Sequence, residues 1–271
     1  MPTVLGMHRP VIGMAHLLAL PGRHGYDRSG GVETIVDRVV RDVEALQAGG
    51  VQAILFANEG DLPYRAQAKA AEVAAMAAVV ARLSTYLSVP FGIDLMWDPA
   101  ASLAVAAATG ATFVRGVLMG TYESDVGLLA PSASDLFDLR HDLGADRVAL
   151  FHNVTPEFAA PLSRRTVAER AQSAAYLGVD ALLLSGLAAG REVRREDLDA
   201  VRHGVPDLPV LINTGVTELT VADYLQVADG VIVGTSLKYG GDTWSQVDAS
   251  RVRRFMRAVR TAVSGAEAPR G

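Results

Sequence analysis

Apolar residues in this chain recur in two alternating arrangements. Short unbroken runs such as Val210 to Ile212 and Val231 to Val233 read as parallel strands covered on both faces. Between such runs lie longer stretches in which apolar positions return every three or four residues, as in Ile35, Val36, Val39, Val43 and Leu46. The runs Val11 to Met14, Ala53 to Phe56, Phe91 to Leu95, Phe113 to Val117, Val148 to Phe151 and Ala181 to Leu184 bring the expected strands to eight. Helices are expected over the alanine-rich stretch Lys69 to Tyr86, then over Ala100 to Thr109, Ser134 to Leu143 with Ser134 as N-cap, and Thr166 to Leu177. Arg195 to Val205, a short segment between the last two strands, and Asp248 to Val263 complete the set.

The punctuation agrees with that alternation. Gly49-Gly50, Gly110, Gly144 and Gly178 each stand where a helical pattern ends and an apolar run begins, the place of a left-handed helix cap. Pro90 and Pro209 open strands, where a missing amide donor costs least. Two long connections stand out: a glycine-rich one after the first strand (Pro21, Gly22, Gly25, Gly30, Gly31), long enough to be a lid, and Met119 to Pro131 after the fourth. The pattern predicts one (β/α)8 barrel domain over residues 1–271. A doubly wound open sheet is the alternative, but no Gly-x-Gly-x-x-Gly follows the first strand.

Composition narrows the classes. The net charge of -5 and scattered arginines, dense only from Arg251 to Arg260, disfavour nucleic acid as a partner. No apolar run approaches the ~20 residues that cross a bilayer, so no integral membrane segment is expected. Val11 to Leu20 imitates a signal peptide but contains His16 and continues into the barrel pattern, hence a cytoplasmic expectation. The absence of cysteine removes disulfides and thiolate chemistry. A homo-oligomer is expected.

In such barrels the chemistry sits at the C-terminal strand ends, and here those ends are polar. The last two strands break into Asn213-Thr214-Gly215 and Gly234-Thr235-Ser236, small residues whose amides can approach an anion, which reads as a phosphate cup. Lys238 is one of only two lysines, with Lys69; the simpler role for it is a cation toward phosphate rather than a Schiff base. His16 and His152, expected to face each other across the mouth, are the candidate proton-transfer pair, joined by Asp94 and Glu59. Hydrogen-bonded structural imidazoles, and a carboxylate that merely pairs with Arg115 or caps a helix, are the plainer readings. Asn58, Arg115, Asn153, Ser185 and Asn213 are candidate substrate contacts. No His-Glu-x-x-His, EF-hand loop or dense ligand cluster supports a metal, and no cofactor is expected to be required.

Gly13-Met14-Ala15-His16-Leu17 with Leu20-Pro21-Gly22, Asn58 to Tyr64, Ser185-Gly186 with Gly190, and Asp229 to Lys238 resemble the BtpA/SgcQ family of ribulose-phosphate-binding-type barrels over nearly the whole chain. The resemblance implies the barrel fold and a retained phosphate anchor. The family name comes from a factor implicated in photosystem I biogenesis, while other members look like sugar-metabolism barrels. This chain departs at Ala57-Asn58-Glu59, at Asp94 to Pro99, and at Asn153 to Phe158, where a basic pair of the family pattern has become acidic and aromatic. The expectation is an enzyme acting on a small phosphorylated sugar or related metabolite by isomerisation, epimerisation or aldol-type cleavage. The opposing classes are a non-catalytic assembly factor for a membrane complex and a phosphorylated-ligand sensor.

Overall fold

In the computed structural model, residues 2–186, 188 and 190–267 are described; Met1 and the last four positions of the expected domain lie outside them. Eight parallel strands close into a barrel: β1 (Val11–His16), β2 (Ala53–Ala57), β3 (Phe91–Asp94), β4 (Phe113–Gly116), β7 (Ala149–Thr155), β9 (Ala181–Leu184), β10 (Val210–Ile212) and β11 (Gly230–Val233). Around the ring the order is β1-β11-β10-β9-β7-β4-β3-β2. Closure is the pairing of the first and last strands, Val11 with Val231, Ile12 with Ile232 and Gly13 with Val233. The helices between strands are α1 (Gly31–Gly49), α2 (Ala70–Leu83), α3 (Pro99–Thr109), α4 (Ala133–Asp142), α5 (Val167–Tyr176), α6 (Arg195–Gly204) and the short α7 (Val221–Tyr224), with α8 (Ala249–Glu267) closing the chain.

Side chains alternate between two cores, as a period of two demands. Ile12, Met14, Leu55, Phe113, Phe151, Leu183, Leu211 and Ile232 fill the barrel interior. Their neighbours Val11, Ile54, Phe56, Ile93, Val114, Leu150, Leu182 and Ile212 pack outward against the helices, with Val36, Val39, Val43 and Leu46 of α1 among their partners. Phe113 and Phe151 stack at 4.9 Å between ring centroids inside the barrel. Gly92 gives them room, since a Cβ there would come within 2.4 Å of the Phe113 ring.

Three differences from the expected elements have local causes. The stretch Met119 to Pro131 is not a plain loop: β5 (Tyr122–Ser124) and β6 (Gly127–Leu129) form a hairpin that pairs with β8 (Ala159–Pro161) as a small antiparallel sheet. Its alternation was hidden because the stretch buries only Tyr122 and Leu129 in the apolar cluster there among the described residues, with Val126 partly covered beside them. The fifth barrel strand runs to Thr155, past the expected Phe151, with a register shift between Asn153 and Thr155 that re-aims its end. The N-cap of α4 is Ser132, which accepts the amide of Asp135, rather than Ser134.

Gly60 locks the loop after β2 against the loop after β1, for a Cβ there would lie 2.5 Å from the Ala19 nitrogen and 2.7 Å from the Leu18 carbonyl carbon. Backbone on both sides cannot yield as a side chain can, so Gly60→Ala should destabilise by ~1–3 kcal/mol, the usual cost of overpacking. Chemical denaturation would read this as a lower midpoint at unchanged slope; an unchanged midpoint would show that the loops part freely.

Candidate active site

A cavity of about 290 Å³ opens at the C-terminal ends of the barrel strands. On one side stand the loops after β10 and β11. Gly215 holds φ +70°, and a Cβ there would approach the Arg191 carbonyl oxygen to 2.4 Å, so no larger residue fits. The Ser236 hydroxyl donates to the Val216 carbonyl at 2.8 Å and pins the two loops together. Among the described residues the amides of Gly215, Val216, Thr235 and Ser236 form no hydrogen bond, which leaves a set of donors along the cavity wall. The nearby cation is Arg251 in the first turn of α8, whose Nε donates to the Ser236 carbonyl at 2.8 Å and which pairs with no carboxylate among the described residues.

The opposite side of the ring is charged. Inward positions of β3 and β4 carry Asp94 and Arg115, with Arg115 Nε 3.3 Å from Asp94 Oδ2. A second carboxylate, Glu157, comes within 3.7 Å of the same guanidinium from the loop after β7. Burial raises the Asp94 carboxyl to about 6, with Glu59 and Glu157 adding to the rise and Arg115 opposing it. The plainer reading of Asp94 as the Arg115 partner is therefore met, in a place where the pair also lines the cavity. Asn153 and Asn213 point their amides to the Ser185 hydroxyl at 3.0 and 2.8 Å and complete the floor.

Between the two sides lies His16, at the end of β1. Its Nδ1 is 2.7 Å from Lys238 Nζ, and the same ammonium donates to the Thr243 carbonyl. Burial and the neighbouring Lys238 hold the imidazole well below its ordinary value, so the ring is neutral at physiological pH. Burial brings Lys238 down to about 8, which leaves it mostly cationic there. With Nδ1 accepting from Lys238, the ring proton resides on Nε2.

Four expected placements are corrected. His152 sits on the strand opposite β1 as expected, but an even position on β7 faces outward with Leu150 and Val154, while Asn153 takes the inward place. The His152 ring is buried and its Nδ1 accepts the Leu118 amide at 3.1 Å, so it does not face His16. Lys238 lies behind His16 rather than in the anion cup, because the chain turns away after Leu237 and buries its amine against Thr243. Asn58 is spent on the scaffold: its Nδ2 donates to Asp61 Oδ2 and its Oδ1 accepts the Met96 amide, both at 2.8 Å. The Thr214 hydroxyl is likewise engaged, accepting from the Gly186 amide and donating to the Arg191 carbonyl. His16, Glu59, Asp94, Arg115, Asn153, Asn213, Gly215, Gly234, Thr235 and Ser236 do line the one cavity.

Arg251, Glu157, Trp97 and Phe158 also line it and were not singled out as site residues. Arg251 was visible only as the first member of an arginine-rich helix. Glu157 and Phe158 were visible as departures from the family pattern, without a face assigned to them. Among the described residues no three His, Asp or Glu side chains gather as a metal-binding group.

The placement of His152 has a consequence for stability. Its folded value is lowered to about 3, principally by burial, against an ordinary 6.5. A depressed group contributes stability above its unfolded value and loses it as pH falls toward the folded one, so the loss should run from about pH 6.5 down to about 3. His152→Asn keeps an acceptor for the Leu118 amide but cannot take up the proton. Its melting temperature should therefore fall less steeply than that of the wild type between pH 6.5 and 4; parallel curves would show that His152 does not titrate in unfolding.

Residues 7–261 match the model of the BtpA family. The chain is 38% identical to the sgc region protein SgcQ of Escherichia coli (strain K12) over 257 residues, covering 94% of this chain and 96% of that one. It is 35% identical to the photosystem I biogenesis protein BtpA of Synechocystis sp., covering 93% and 88%. Among solved structures, one described as native KDPGal superposes with a TM-score of 0.58 at 15% identity, covering 94% of this chain and 96% of that one. At that identity the likeness is one of fold.

Proposed function

We propose, from the premise that the chain belongs to the BtpA family, that it is an enzyme acting by proton transfer on a small phosphorylated sugar or related metabolite. The observation that carries this is the division of a single cavity. Unengaged amides and Arg251 stand at the β10 and β11 loops, Asp94 and Arg115 stand at the other end, and His16 lies between them. A phosphate at the first end would fix the reacting carbon near the second and make the chemical step effectively unimolecular. The family relative named for photosystem I biogenesis suggests an assembly role for that protein; in this chain no helix among the described residues is long and apolar enough to cross a membrane. The cavity favours the catalytic reading over that one.

Asp94 is the base in this account. A carboxyl near 6 is mostly ionised at neutral pH yet far more basic than an exposed one, the compromise that general base catalysis rewards. It withdraws the proton from the carbon next to a carbonyl. The neutral His16 ring, with its proton on Nε2, donates toward the carbonyl oxygen as negative charge builds there, and the Lys238 ammonium on Nδ1 helps carry the charge passed to the ring. Arg115 holds the Asp94 carboxylate in position. Isomerisation and epimerisation share this first step; in aldol-type cleavage the same base takes the proton of the β-hydroxyl instead, and the breaking carbon–carbon bond delivers its electron pair to the enolate.

Turnover of tetrose and pentose phosphates tests the proposal. The ratio kcat/KM should rise with pH through about 6 as Asp94 ionises and fall through about 8 as Lys238 loses its charge. Asp94→Asn should reduce kcat by roughly 10²-fold or more, and His16→Gln similarly. Undiminished kcat in both variants would exclude these roles.

The binding end is tested separately. Arg251→Ala should weaken the affinity for a phosphorylated ligand by about 10-fold, near 1.4 kcal/mol, with kcat little changed. Gly234→Val should weaken the same affinity and, because even a Cβ there would lie 3.3 Å from Met14 and 3.4 Å from His16, should lower kcat as well. Unaltered affinity in both, measured by calorimetry, would move the anion elsewhere.

A further inference from the structure

The end of the cavity away from Arg251 is unlike the wall of a plain sugar site. Three carboxylates, Glu59, Asp94 and Glu157, face it against the single guanidinium of Arg115, and the next cation, Lys238, stands behind the His16 ring. The protein groups around this end therefore carry net negative charge. Among the described residues the wall also holds two buried polar atoms without a partner, the donor Trp97 Nε1 and the acceptor Asn213 Oδ1. The Asn213 side chain is only 6% exposed, its Nδ2 is committed to the Ser185 hydroxyl, and its buried Oδ1 has no hydrogen-bond partner. A buried acceptor left unpaired costs on the order of 1–3 kcal/mol, so its presence on the wall of a cavity calls for a donor from a ligand.

A second feature is independent of the carboxylates. Trp97 and Phe158, which follow β3 and β7, both line the cavity, and both hold left-handed backbone, with φ +71° and +56°. That conformation is unfavourable for a bulky side chain and persists only where the surroundings hold it, which is characteristic of residues placed for a ligand. Aromatic walls beside carboxylates form the pattern that recognises an ammonium group: the ring faces attract the cation and the carboxylates accept its N–H donors.

We propose that this end of the cavity binds a protonated amine of the phosphorylated substrate, which makes an aminated sugar phosphate the ligand class the site takes. The proposal rests on the phosphate reading above and adds the group at the opposite end. An amine seated among Asp94, Glu157 and the Asn213 Oδ1 supplies the missing donors, and a single positive charge offsets the excess of carboxylates. A ligand with a carboxylate at that end is repelled by the same groups.

Calorimetry with three probes, in buffer containing EDTA, tests this: glucosamine 6-phosphate, glucose 6-phosphate and inorganic phosphate. The amino sugar phosphate should bind about 10-fold or more tightly than its hydroxyl counterpart. Glu157→Gln should bring that ratio close to one while leaving the affinity for inorganic phosphate unchanged. Equal binding of the two sugar phosphates in the wild type would overturn the amine assignment and leave the phosphate end standing. Failure of all three probes, inorganic phosphate included, would overturn both. A preference that appears only when magnesium replaces EDTA would assign the carboxylates to a divalent cation and also overturn the proposal.

Discussion

The pairing of β1 with β11 is the contact on which the site depends. Without it the chain would be an open sheet with an unsatisfied edge at each end. With it, His16 from the first strand meets Lys238 from the segment after the last, 222 positions away, at 2.7 Å. The same closure sets the loops after β10 and β11 directly across the ring from Asp94 on β3 and Arg115 on β4. A ligand lying across the mouth thus meets amides and Arg251 at one end and buried, mutually coupled charges at the other.

Burial accounts for the chemistry of that second end. In water Asp94, His16 and Lys238 would titrate as ordinary groups. Inside the mouth each is pushed toward its neutral form, Asp94 up to about 6, Lys238 down to about 8 and His16 well below its usual value. The result at neutral pH is a mostly ionised carboxylate, a neutral imidazole and a nearby ammonium. Arg115 keeps the carboxylate from being neutralised outright.

Much of this was legible in the chain because the barrel is written in short-range rules. Apolar runs and capping glycines marked the eight strands and their order, and the small residues after the last two do line the cavity. Family resemblance placed His16 and the Asp229 to Lys238 segment in the same architecture, and the match over residues 7–261 bears it out. What failed were decisions that turn on one residue of register. His152 and Asn153 are neighbours, both polar, and only the alternation of β7 fixed by its partners β4 and β9 decides which faces the cavity. Lys238 follows the single helical turn Thr235–Leu237 that leaves the cup it was expected to serve, and its burial against Thr243 depends on a loop geometry that no periodicity encodes. Arg251 and Glu157 reach the cavity from a helix and a loop outside the strand ends, where a search confined to those ends does not look.

The central claim is that an anion sits between the loops of the last two strands, and a crystal structure grown with phosphate addresses it most directly. The account predicts density for one phosphate within hydrogen-bond distance of the amides of Gly215 and Thr235 and of the Arg251 guanidinium. Phosphate bound instead against Arg115, with those amides facing solvent, would contradict it.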